Sequence, residues 1–238
     1  MSRRGGKRVF LLSLCLLGLV LFGALGLWQL ERRQWKLDLI ARVDARVHAA
    51  PAALPARSSW ARLGPADIEY WKVRASGVWL HERETLVDAL TERGPGSWVL
   101  TPLRTAEGVV LVNRGFVPPD RRAASKRVQG QQRGPVAVTG LLRLTEPNGR
   151  FLRPNRPAEE RWFSRDVRAI AEARGLIGVA PFFIDADSTT NLGGYPVGGL
   201  TVVRFRNTHL LYALTWFGLA ALCLGGLVLL LKPGQARA

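Results

Sequence analysis

The chain has 238 residues, 34 of them Lys or Arg against 18 Asp or Glu, for a formal net charge of +16. That length admits one sizeable domain, or a modest domain with membrane segments, and the charge suits nucleic acid, anionic lipid or small anions according to location. Both cysteines, Cys15 and Cys223, lie inside apolar runs, which excludes a disulfide scaffold or a thiol metal site for the segment between them.

In chain order, Arg3, Arg4, Lys7 and Arg8 precede a charge-free run, Val9 to Leu27, of 19 residues. This exceeds the apolar core of a secretory signal, typically about 7–15 residues, although Ala24-Leu25-Gly26 resembles a cleavage site, so a retained helix is expected. Only eight residues precede it, too few for a mitochondrial transit peptide. The helix leaves through LGLWQLERRQWKLDLIARV (Leu25–Val43). There Trp28 and Trp35 suit an aromatic belt and Arg32, Arg33 and Lys36 the headgroup level; Trp28, Arg32 and Trp35 share a face. The pattern continues to about Val47, and Ala49 to Arg57, AAPAALPAR, reads as a linker.

From Tyr70 the period changes to that of strands. Trp71–Leu80 alternates, with a bulge or close approach at Gly77. Glu84 to Leu90 is read as its return strand, with His81, Glu82 and Arg83 in the turn. Trp98–Arg104 and Val109–Val112 form a hairpin through Ala106-Glu107-Gly108. Pro118 to Pro135 is a polar loop carrying Arg121, Arg122, Lys126, Arg127 and Arg133 against Asp120. Val136–Leu144 alternates again. A helix capped by Ser164 runs to about Arg174, with Gly175 as its stop. Phe182–Ile184 is a short strand, Asn191–Gly199 a Gly-rich turn, and Leu200–Phe205 a last strand. No repeat is present. The result is a mostly antiparallel β domain with one helix. Residues 31–206 hold 28 Lys and Arg against all 18 acids, a net +10. Outside the cytoplasm nucleic acid is not an expected partner; anionic headgroups, an acidic protein face or a carboxylate-bearing cofactor are, beside a simply solvated Arg-rich surface.

The second apolar run, Leu210 to Leu231, is 22 residues without a charge, about 33 Å of helix and enough to cross a bilayer core. His209 stands at its mouth. At helical spacing His209, Tyr212, Ala213, Trp216, Ala220 and Cys223 form a stripe suited to meeting another object. An ionisable group at a membrane span is a functional candidate, and an imidazole among aromatic and small residues is one way to hold haem iron; a hydrogen-bonding interfacial histidine is the other reading. Other constellations fall short. His81-Glu82 lacks the second histidine of a zinc helix, Asp185 and Asp187 suit a turn, and the Gly193–Gly199 glycines lack the Lys-Ser/Thr of a phosphate loop. No catalytic set is found, so no enzyme is expected.

Four blocks carry a resemblance: GLWQLERRQWK (Gly26–Lys36), SWVLTPLRTAEGVVLVNRGFVP (Ser97–Pro118), VTGLLRLTEPNGRFLRPNRPAEERWFSRDV (Val138–Val167), and APFFIDAD with GGYPVGGLTVVRFRNTHLLYALTWFGLA (Ala180–Asp187, Gly193–Ala220). In order and spacing they resemble the Surfeit locus protein family of cytochrome c oxidase assembly factors, from about Leu25 to Ala220, without departure in the signature blocks. Leu111–Pro118 and Asn207–Tyr212 are the most specific. The resemblance implies two membrane helices around an extracytoplasmic domain and a role in maturation of oxidase subunit I. It also implies a link to haem a in bacterial members, a ligand-competent His209 and a matching Trp216. Haem a would add its carboxylates, which Arg204 and Arg206, just before His209, can pair with unless they merely snorkel.

The expected protein is therefore membrane α+β: 1–8 cytoplasmic, 9–30 transmembrane, 31–206 a periplasmic mostly-β domain, 207–231 transmembrane and 232–238 a cytoplasmic tail, in a bacterial inner membrane. Its expected role is oxidase assembly through transient haem a binding at His209, Trp216, Tyr212, Arg206 and Arg204. Its expected partners are subunit I, other assembly factors and membrane lipids. A two-span sensor should carry a larger cytoplasmic output segment, and an enzyme acting on haem or lipid should carry an acid/base cluster. Basic residues at the outer ends of the two spans number six and at the inner ends five, so the positive-inside rule favours cytoplasmic termini by a small margin. Alkaline phosphatase fused after Gly130 should be active, and a fluorescent reporter after Ala238 should fold in the cytoplasm; an inactive phosphatase reverses the orientation.

Overall fold

A computed structural model describes residues 3–150, 152–201, 203 and 205–232, with side chains from Gly6 onward. The chain divides into two compact units, one of Met1–Arg42 with Arg204–Ala238 and one of Val43–Val203. The first holds the apolar helices. Helix α1, Arg3–His48, is 46 residues long, about 69 Å at 1.5 Å per residue, so it outruns a hydrocarbon core of about 30 Å. After the apolar run its charges resume at Glu31, where Arg32 lies over the Trp35 ring at 4.4 Å. Gly6–His48 and the last helix, His209–Leu231, are both long and apolar enough to cross a membrane. Many of their large side chains, among them Leu17, Val20, Leu214, Leu222 and Leu229, lie exposed. The protein is a membrane α+β protein.

The second unit is built on seven strands: β1 Ala52–Ala53, β2 Lys72–Trp79, β3 Thr85–Thr91, β4 Gly94–Thr105, β5 Gly108–Val117, β6 Pro135–Leu144 and β7 Val179–Ala186. Two short helices join them, α2 Pro65–Ile68 and α3 Val167–Ala173; the membrane helix His209–Leu231 is α4. The sheet order is β1-β2-β6-β7-β5-β4-β3, and β2 also pairs with β4. That extra pairing closes β2, β6, β7, β5 and β4 into a five-stranded barrel. Among the described strand pairs, β1–β2 and β5–β7 are parallel and the rest antiparallel. Closure occurs at Gly77–Trp79 against Leu103–Thr105. A Cβ on Gly77 would stand 2.2 Å from the Arg104 carbonyl oxygen. The expected irregularity at Gly77 is thus a close backbone approach; the register against β6 is continuous there.

Period-two alternation sorts the side chains. Val73, Ala75 and Trp79 of β2, Val110 and Val112 of β5, Leu142 of β6, and Ala180, Phe182 and Ile184 of β7 fill the barrel with Trp60 and Leu103. The intervening Leu111 and Phe183 face outward and pack with Val87, Leu100, Trp162, Val167 and Ile170 beneath α3. A barrel this small is filled by its own side chains.

Three expectations are corrected. Glu84–Leu90 was expected to return along β2. Instead β3 pairs with Gly94–Leu100 of β4, beside the stretch that β2 occupies, and His81–Arg83 is a 3-10 turn passing the chain from one half of β4 to the other. Both segments alternate, and alternation does not say which neighbour satisfies them. The cap of α3 is Asp166, whose Oδ1 accepts from Ala169 N at 3.1 Å; the Ser164 hydroxyl instead donates to Glu146 O and accepts from Gly149 N. Leu200–Phe205 forms no strand among its described residues; Val202 and Arg204 lie outside them.

Charged groups inside the unit are cross-braced. Asp185, 3% exposed, accepts from Asn113 (2.8 Å), Arg143 (3.1 Å) and Arg165 (3.0 Å). Arg165 also grips Glu146. Burial pushes the Glu146 carboxyl up, but the hydrogen bonds and charge of Arg165, with the charge of Arg143, outweigh it and hold the group below the ordinary glutamate range. A depressed carboxyl stabilises the fold above its unfolded pKa, about 4.3, and loses that contribution as pH falls through the folded value. Glu146→Gln should therefore be less stable than wild type at pH 7, with the gap closing below about pH 4. Denaturant unfolding of the protein in detergent, followed by tryptophan fluorescence, measures it; a gap unchanged to pH 3 disproves the assignment.

Candidate functional site

His209 is the first residue of α4, after Thr208 at the N-cap. Its ring is half-buried, and Nδ1 lies 2.7 Å from Gln29 Oε1. A carboxamide oxygen only accepts, so a neutral ring bonded to it carries its proton on Nδ1 and its lone pair on Nε2. Gln29 is 9% exposed. It sits in the Leu-Trp-Gln-Leu-Glu turn where α1 passes from apolar to charged residues. Holding one imidazole nitrogen through a hydrogen bond to the other is how proteins orient a metal-binding histidine.

What brings Gln29 to His209 is close packing of the two helices. A Cβ on Gly18 would fall 2.7 Å from Cys223 Sγ, one on Gly26 2.5 Å from the Phe217 ring, and one on Gly226 3.1 Å from Cys15 Sγ. Ala213 and Ala220 are buried, and Trp216 stacks on Phe22 at 5.7 Å with 19° between planes. Small residues let backbones approach where lipid offers no hydrophobic drive. At the far end Arg8 donates from Nε and Nη2 to Leu230 O at 3.0 and 2.5 Å, satisfying a carbonyl of the last turn.

The expected stripe thus has a partner, and it is α1. Ala213, Trp216, Ala220 and Cys223 serve the helix pair, while Tyr212, 53% exposed, points away from it. Arg206 is exposed; Arg204 lies outside the described residues. No group of three or more His, Cys, Asp or Glu that could hold a metal ion occurs among the described residues. Metal chemistry at this site would rest on His209 alone. The two cysteines are free, each packed against a glycine of the opposite helix.

The basic loop also differs from a simply solvated one. It folds as 3-10 turns, Pro119–Arg121 and Ala124–Gly130. Arg127, 4% exposed, donates to both Glu84 oxygens at 2.5 and 3.1 Å and to the carbonyls of Arg121 and Arg122. Four cations of the loop, Arg121, Arg122, Lys126 and Arg133, remain exposed. Sequence reading missed Gln29, whose only signal was an amide at a span's end, and Arg114, a charge inside the apolar run Val109–Val117.

Comparison with known proteins decides the family. The SURF1 family model matches residues 16–221. The chain belongs to the SURF1 family. Among its relatives, Surfeit locus protein 1 of Homo sapiens is 38% identical over 226 residues, covering 87% of this chain and 73% of the human one. The Rattus norvegicus protein is 39% identical over 214 residues, 83% and 68%. A SURF1-like protein of Monosiga brevicollis is 37% identical over 253 residues, 99% and 92%. The matched span of this SURF1 chain runs across the positions of Gln29, His209, Tyr212 and Trp216 and the whole β domain.

If the Gly26–Phe217 contact sets the helix spacing, Gly26→Leu should part α4 from α1 and free the imidazole. In a His48→Gln, His81→Gln background, carbethoxylation of His209 should quicken several-fold in Gly26→Leu. An unchanged rate means the spacing is set elsewhere.

Proposed function

We propose that the protein is a non-enzymatic, membrane-anchored assembly factor for cytochrome c oxidase, which aids haem a insertion into, or maturation of, subunit I by holding haem a transiently. Membership of the SURF1 family supports the oxidase role. The observation that carries the haem reading is the hydrogen bond of His209 Nδ1 to Gln29. It leaves Nε2 as a donor at the membrane interface, which suits an axial iron ligand. His209 would bind the iron, Gln29 would fix its ring, and Tyr212, exposed one turn further on, offers an aromatic face and a hydroxyl. Trp216 is already stacked on Phe22 and contributes by keeping the helix pair together. Arg206 and Arg204 would meet the cargo's carboxylates. The middle domain faces the periplasm of a bacterial inner membrane in this reading, with both termini cytoplasmic; subunit I, other assembly factors and membrane lipids are its partners.

The absorption spectrum of protein purified from cells making haem a tests it. His209→Ala should remove most of the haem while membrane levels stay near normal. Gln29→Leu should weaken retention by roughly 10–100-fold, as loss of a histidine's orienting partner does at metal sites. Trp216→Ala should act less sharply than His209→Ala, and His81→Ala should do little. His209→Gln keeps a hydrogen-bonding side chain and loses the iron donor; a normal haem spectrum and full oxidase assembly in that variant would overturn the ligand role.

A further inference from the structure

A guanidinium removed from water needs acceptors or a counter-ion. Arg127 has Glu84, and Arg165 has Glu146 and Asp185. Arg114 has no carboxylate in hydrogen-bonding contact among the described residues, and Glu84 acts on it only at longer range. Arg114 continues the inward side of β5 after Val110 and Val112 and is 2% exposed. Its Nη2 donates to Gly130 O at 2.5 Å and Asn191 Oδ1 at 3.0 Å, both neutral acceptors. Nε and Nη1 have no partner among the described residues. The guanidinium lies 4.9 Å from the centre of the Trp79 ring. Burial, aided by the charge of Arg127, pushes it down to about 10 against the pull of Glu84, so it is still a cation at neutral pH.

The space beside Arg114 has a definite origin. Strand β7 leaves β6 after Ala186; the last tie is Asp187 N to Thr139 O at 2.9 Å. Beyond it Val136–Val138 keep β2 on one edge and, among the described residues, have no strand on the other. Between that open edge and the departing chain lies a cleft of about 510 Å³, walled by Trp79, Arg114, Val136, Val138 and Asn191. Arg74 and Asp187 are the other charged groups in its wall, and Asp187 Oδ1 accepts from Thr189 N. Two cations against one acid leave room for a single negative charge. The volume is that of a small-molecule site, well beyond a bare ion.

We propose that this cleft binds a monocarboxylate carried on an apolar body, with Arg114 as the anion's partner, Trp79, Val136 and Val138 against the apolar part, and the free β6 edge available to ligand amides. Two sources present that chemistry: a free organic acid, or the C-terminal carboxylate of an extended polypeptide adding beside β6. The site lies within the β domain and is independent of the haem reading, since neither His209 nor the helix pair takes part.

The test is equilibrium dialysis of the full chain in detergent against two labelled probes, 4-phenylbutyrate and N-acetyl-Ala-Val-Val. Saturable retention of either supports the site and tells which source it accepts; retention of neither overturns it. The amide of a retained probe should bind about ten- to hundredfold more weakly, the worth of a hydrogen bond to a charged group, and equal binding by the amide overturns the proposal. Arg114→Gln should abolish retention with circular dichroism unchanged. If that variant misfolds, Thr189→Trp, at an exposed position in the cleft wall, should block the cleft without touching the guanidinium. Retention by a folded Arg114→Gln or by Thr189→Trp overturns the assignment.

Discussion

At Gly77 two backbones meet without a side chain between them, and the architecture of the β domain follows from that meeting. β2 reaches β4 only because the Arg104 carbonyl occupies the place of a Cβ. The contact converts an open sheet, with edges that must be shielded, into a ring without free long edges. It also forces β4 to serve two neighbours in succession along one side, β3 and then β2. A five-stranded ring encloses little volume, so its apolar filling ends soon and charged residues stand at its end. Loops fold over that end to receive them, and Arg114 takes its two acceptors from such loops, Gly130 and Asn191.

The membrane unit follows a different physics. In lipid, apolar side chains gain nothing by leaving one hydrocarbon surface for another, so association relies on fit and hydrogen bonds. Here fit is supplied by reciprocal pairs, Cys15 on Gly226 and Cys223 on Gly18. Arg8 at one end and Gln29 with His209 at the other supply the polar ties. A histidine beside an apolar span is costly to leave unsatisfied. One ring nitrogen is satisfied within the unit, and the other is the one the proposed chemistry uses.

Much of this was legible in the chain. Uncharged length announced both spans, alternation announced β2 and β6, because burial on one face leaves a period of two in the residues themselves, and two strand-like runs joined at Ala106-Glu107-Gly108 announced the β4–β5 hairpin. Partner choice was less visible. β3 and β2 carry similar patterns, and only the assembled barrel shows that they divide β4 between them. The cap of α3 shifted from Ser164 to Asp166 because the Ser164 hydroxyl is drawn to Glu146 and Gly149, contacts made through tertiary folding. The functional groups were half legible. His209 stood out by rarity and position. Gln29 is 180 residues away in sequence, and nothing local marks a glutamine as the partner of a distant imidazole. Of the stripe on α4, Ala213, Trp216, Ala220 and Cys223 turn to α1 and Tyr212 turns away from it, a division that needed coordinates to be seen.

The place of β7 in the ring has a consequence for how the protein is made. Its neighbours are β5 and β6, both earlier in the chain. As the ribosome releases the domain, six strands and part of the core exist before the strand that belongs between β5 and β6. During that interval both edges are bare, and bare edges invite pairing with other chains. The nascent domain can seal only when Ala186 has emerged, by which time α4, a short stretch further along the chain, is itself being synthesised. Completion of the barrel and arrival of the second membrane helix are therefore nearly simultaneous, a timing imposed by strand order alone.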